Sequence, residues 1–110
     1  MRSNIETLLS SGWSQVATLS AAVTDTNLTK LNFLLDRLPI AEDLLLTYRS
    51  QKIAVTRLQS VIATENAREA PAVINQDVID QANADIRRAQ SYMLQCDARM
   101  EIILYEYGKL

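Results

Sequence analysis

Histidine is absent from this sequence, and cysteine occurs once. Without histidine, zinc, haem and serine–histidine sites lose the residue they usually rely on. A single cysteine excludes an internal disulfide framework and fits a reducing compartment. Glycine and proline occur twice each, too few turn-makers for a loop-built or low-complexity chain. Charge of either sign is nearly balanced, 11 basic against 13 acidic residues for a net −2. That argues against bulk nucleic-acid binding and equally against an acidic mimic of nucleic acid. A long hydrophobic run is missing too. The uncharged stretch from Thr7 to Thr24 contains Ser10, Ser11, Ser14, Gln15, Thr18 and Ser20, too polar to face lipid. Glu6 and the shortness of the apolar runs argue against a signal peptide. The chain reads as soluble, unprocessed and cytoplasmic, or in the host cytoplasm if it is viral, with no membrane partner.

What the sequence does have is helical periodicity. Stepping alternately by three and four from Ile79 gives Ala82, Ile86, Ala89, Met93, Cys96, Met100, Ile103 and Tyr107, all apolar or amphipathic. Asp80, Gln81, Arg87, Arg88, Gln90 and Gln95 fall between them. This is one buried stripe on a helix over 75–107, roughly 50 Å long at the helical rise. Its small members, Ala82, Ala89 and Cys96, allow a neighbouring helix to come close. Towards the C-terminus Ile102, Leu104, Tyr105 and Leu110 add apolar surface outside the stripe, so this part is expected to be covered on most sides.

Upstream, Ser3-Asn4-Ile5-Glu6 has the spacing of a capping box. A first helix over about 4–23 follows, with Ile5, Leu8, Leu9, Trp13, Val16, Leu19 and Val23 at helical spacing. Ser10, Ser14, Ala17 and Ala21 form a small-residue ladder on its other face, either a close-approach surface or a solvated one. Thr24-Asp25-Thr26-Asn27 collects turn and capping residues. Leu28, Leu31, Leu34, Leu35 and Leu38 then make an apolar face over 28–38. Pro39 disfavours helical geometry at Leu38, so a break is expected there and a new helix over 40–66. A single helix kinked at Pro39 is the alternative. Residues 65–73 with Pro71 read as the connecting loop, and Asn75 or Asp77 as the cap of the last helix. The expected fold is all-α: one domain, residues 1–110, forming an antiparallel bundle of three to four helices with a long C-terminal helix.

No catalytic, cofactor-binding or metal-binding set emerges. Asp97 and Glu101 lie one turn apart, but di-iron bundles use Glu-x-x-His motifs and histidine is absent. Cys96 falls in the apolar stripe, where a thiol is inert. Arg49, Lys52 and Arg57 form a short basic strip, yet residues 28–70 hold six basic and five acidic side chains, too little net charge for phosphate binding. Candidate interface residues are Trp13, Ile102, Tyr105, Tyr107 and Leu110. Tyr105 and Tyr107, two apart on a helix, point to nearly opposite sides, so one of them is left for the surface or an interface, where aromatic anchors are common. The Gly12-Trp13 pair differs in order and position from the Trp-x-Gly turn of certain secreted helical hairpins, so no family follows from it. The expectation is a non-enzymatic protein that binds protein through an apolar helix face, as a homo-oligomer (dimer or higher), with a heterologous partner, or both. The alternative is a small nucleic-acid-associated protein using the basic strip; nucleic acid is the less expected partner.

Overall fold

A computed structural model describes residues 2–69 and 71–110, with the side chains of Arg2 and Ser3 outside the description. The Ser3 capping box therefore lies outside the described residues. Among the described residues three helices occur: α1 (Arg2–Ala21), α2 (Asp25–Asn66) and α3 (Gln76–Gly108). Among the described residues there is no strand, and no helix is long and apolar enough to cross a membrane. The chain divides into two compact units, Met1–Thr47 with Cys96–Leu110, and Tyr48–Gln95.

The first unit holds α1, the start of α2 and the end of α3. The turn between α1 and α2 is closed by Thr24 and Asn27. The Thr24 N–H donates to Asn27 Oδ1 at 2.8 Å, and the Asn27 N–H donates to Thr24 Oγ1 at 3.3 Å. This is a reciprocal cap of the first turn of α2. The Asn27 amide also donates to the Ala22 carbonyl, so one side chain serves the end of α1 and the start of α2. Ile5, Leu8, Leu31, Leu34, Leu38, Ala41, Leu44, Leu45, Met100 and Ile103 are buried in this unit. At Gly12 the backbone of α1 lies so near α2 that a Cβ would stand 2.7 Å from Leu38 Cδ2. The serine–alanine ladder receives no helix: Ser10, Ser14, Ala17 and Ala21 are all exposed, and Ser14 instead donates its hydroxyl to the Ser10 carbonyl.

The expected break at Pro39, which divided 28–38 from 40–66, does not occur; α2 runs through it. Proline removes one backbone donor and crowds the carbonyl four residues back, at a cost of about 3 kcal/mol in a helix interior. Pro39 and Leu35, whose carbonyl loses its partner, are both on the exposed side, where water can satisfy that carbonyl. The opposite side carries Leu34, Leu38 and Ala41, all buried. Burying a leucine side chain contributes about 1.5–3 kcal/mol, which outweighs the proline defect. The leucine face is correspondingly narrower than its sequence suggests, because Leu28 and Leu35 remain exposed.

The second unit is a hairpin of the later part of α2 and the earlier part of α3. Val55, Ile79, Ala82 and Ala89 are buried and Leu58, Ile62, Ile86 and Met93 half-buried, which matches the stripe. The Glu65 carboxylate is buried at its closed end, accepting from the Asn75 N–H at 2.6 Å and pairing with Arg68 Nε at 3.2 Å. Asn75 in turn accepts from the Asp77 N–H at 3.1 Å as the cap of α3. Two helices leave an open apolar groove along Leu58, Val61, Val78 and Ala82, edged by Asp77 and Asp85. Because Ala89 is buried in the stripe, Ala89→Leu should overpack this hairpin and cost about 1–3 kcal/mol. Leucine at exposed Ser91 should cost close to nothing. Urea unfolding of the two variants checks the assignment; equal effects would contradict it.

Candidate functional site

The last turns of α3 sort their side chains by helical phase. Met100, Ile103 and the half-buried Tyr107 face inward. The Tyr107 hydroxyl lies 3.0 Å from Gln15 Nε2 and 3.2 Å from Gln15 Oε1. Its ring centroid is 6.2 Å from that of Phe33, and Lys30 Nζ stands 5.5 Å from the same ring. Tyr107, a candidate interface residue, is thus engaged within its own unit. Tyr105, about 200° away around the helix, is 64% exposed, with Lys109 Nζ 4.4 Å from its ring centroid. Ile102 is 57% exposed.

Ile102 forms the ridge between two shallow apolar hollows. One, of about 190 Å³, is lined by Arg37, Ile40, Leu44, Arg99 and Ile103. The other, of about 410 Å³, is lined by Ala98, Glu101 and Tyr105. Arg37 is held across the α2–α3 contact by Glu106 at 3.7 Å and lies 5.9 Å from the Phe33 ring. Ile40, Leu44 and Arg37 contribute because α2 continues through Pro39, which puts them on one face at i, i+3 and i+7. The break expected at Pro39 concealed that spacing in the sequence.

A scan against protein-family models finds no match, and comparisons with curated proteins and with solved structures find none either.

The remaining candidates lie elsewhere. Trp13 is 39% exposed on α1 and its indole N–H donates to the Glu42 carboxylate, away from the Ile102 ridge. Leu110 follows the end of α3, about half exposed, with its N–H donating to the Tyr107 carbonyl at 3.2 Å. Arg49, Lys52 and Arg57 are all exposed on α2 but fan over roughly 140° of the helix, with exposed Ile53 between them. Arg88 pairs with Asp85 at 3.4 Å. Cys96 is buried. Burial pushes its thiol pKa up, Arg99 opposes that and Asp97 adds to it. The thiol therefore stays protonated near neutral pH and is a poor nucleophile.

The two tyrosines give opposite expectations. Tyr107→Phe removes a half-buried hydrogen bond and should cost about 0.5–1.5 kcal/mol of stability. Tyr105→Phe should leave stability unchanged. Thermal melts of both variants test the phase of α3; an equal loss would mean that the phase is wrong.

Proposed function

We propose that this chain is a non-enzymatic interaction protein that binds another protein through the Ile102–Tyr105 face of α3. Assembly factor, adaptor, inhibitor and secretion or phage accessory protein are the roles that fit such a surface, and the cytoplasm, or host cytoplasm, is its proposed location. The observation that carries the reading is the joint exposure of Ile102 and Tyr105 beside hollows lined by Ile40, Leu44 and Ala98. Apolar side chains left together at a ridge between hollows resemble the anchor-and-pocket arrangement of protein interfaces. Covering them would contribute about 1.5–3 kcal/mol for each large apolar side chain.

The nucleic-acid alternative has less support. Three cations spread around a helix with an isoleucine among them do not make a phosphate-tracking stripe, which needs several cations on one path. A photo-crosslinking amino acid placed at position 102, and separately at position 52, distinguishes the readings in cells. Protein adducts from position 102 and no nucleic-acid adduct from position 52 are expected. Nucleic-acid adducts from position 52 with none to protein from position 102 would replace this reading by the alternative.

A further inference from the structure

We propose that the occupant of the Ile102 face is a second copy of this chain, paired antiparallel through α3 about a two-fold axis near Ile102. The inference rests on the reading of this face as a protein interface and names its partner. An antiparallel two-fold at Ile102 brings a residue three or four positions before the axis to within one residue of register, about 1.5 Å, of one three or four positions after it. Around Ile102 the sequence is complementary to itself in that sense, in size and in charge. On the N-terminal side stand a small residue and a cation, Ala98 and Arg99; on the C-terminal side stand a large residue and an anion, Tyr105 and Glu106.

The surface has the matching relief. Ala98 lines the hollow of about 410 Å³ together with Glu101, Ile102 and Tyr105, and Tyr105 of the second copy enters it. Arg99 and Glu106 are seven residues apart and so lie on the same flank of the helix. In the antiparallel pair Arg99 of each copy comes beside Glu106 of the other. Among the described residues Arg99 has no ion-pair partner in its own chain. Glu106 is half-exposed, with a separation of 3.7 Å to Arg37, loose enough to share its carboxylate with a second cation. A closed two-fold interface demands this kind of self-complementarity, since each contact occurs twice. A parallel pairing would instead set Arg99 against Arg99 and Glu106 against Glu106, with like charges repelling.

Light scattering and sedimentation of the purified chain at ~100 μM, a concentration that reveals even weak dimers, test this directly. Twice the monomer mass of 12.3 kDa is expected. Arg99→Glu and Glu106→Arg, each checked for retained helicity by circular dichroism, should each weaken the dimer about tenfold or more. The double exchange should restore it. A monomer at that concentration overturns the proposal, and so does a dimer indifferent to either single reversal or not restored by the double one. A monomer that still yields cross-links from position 102 to a different protein removes the second copy while leaving the proposed function standing. A monomer without such cross-links removes both.

Discussion

The close approach of α1 to α2 at Gly12 and Leu38 sets the geometry of the first unit. With no side chain at Gly12, the backbone of α1 meets Leu38, which is fully buried. That contact fixes how far α1 stands from α2, and the neighbouring residues follow from it. Trp13 reaches Glu42 on α2, and Gln15, two residues further along α1, reaches Tyr107 on α3. Tyr107 is thereby held inward against Phe33, and a helix with Tyr107 inward carries Tyr105 and Ile102 outward. The exposed face of α3 is a consequence of the contact at Gly12, three steps removed.

The same unit shows how packing overrides local preference. Gly12 and Pro39 are both poor residues for a helix interior, by about 1 and 3 kcal/mol relative to alanine. Each sits within a helix here, Gly12 because the space beside it belongs to Leu38, Pro39 because the Leu35 carbonyl that it leaves unmet is on the exposed side while Leu38 and Ala41 are buried on the other. Leu38 takes part in both. It follows Gly12 in space and precedes Pro39 in sequence, and its burial links the two local defects in one well-packed layer.

Much of this was legible from residue spacing. The stripe from Ile79 to Tyr107 is buried or half-buried at every step, because a period of three and four is a direct imprint of helical geometry. Thr24 to Asn27 and Asn75 also announce helix boundaries through capping chemistry that is local in sequence. What spacing left open or misplaced shares a cause: it depends on which neighbour stands opposite. The serine–alanine ladder of α1 allowed either a contact surface or a solvated face, and it faces water, whereas the contact lies at Gly12. Glu65, where the connecting loop was expected to begin, belongs to α2 and is buried with Arg68 and the Asn75 N–H as its partners. Ile40, Leu44 and Arg37 were separated from the site by the break expected at Pro39, a local rule that long-range burial overruled.

Replacement of Gly12 by alanine measures the contact between α1 and Leu38 most directly. Helix propensity alone would raise stability by about 1 kcal/mol. The added Cβ would meet Leu38 Cδ2 at 2.7 Å and Cδ1 at 3.0 Å, and overpacking of a filled core costs about 1–3 kcal/mol. Urea unfolding of Gly12→Ala should therefore show a net loss of stability. A gain would mean that Leu38 moves aside freely and that the contact at Gly12 does not set the position of α1.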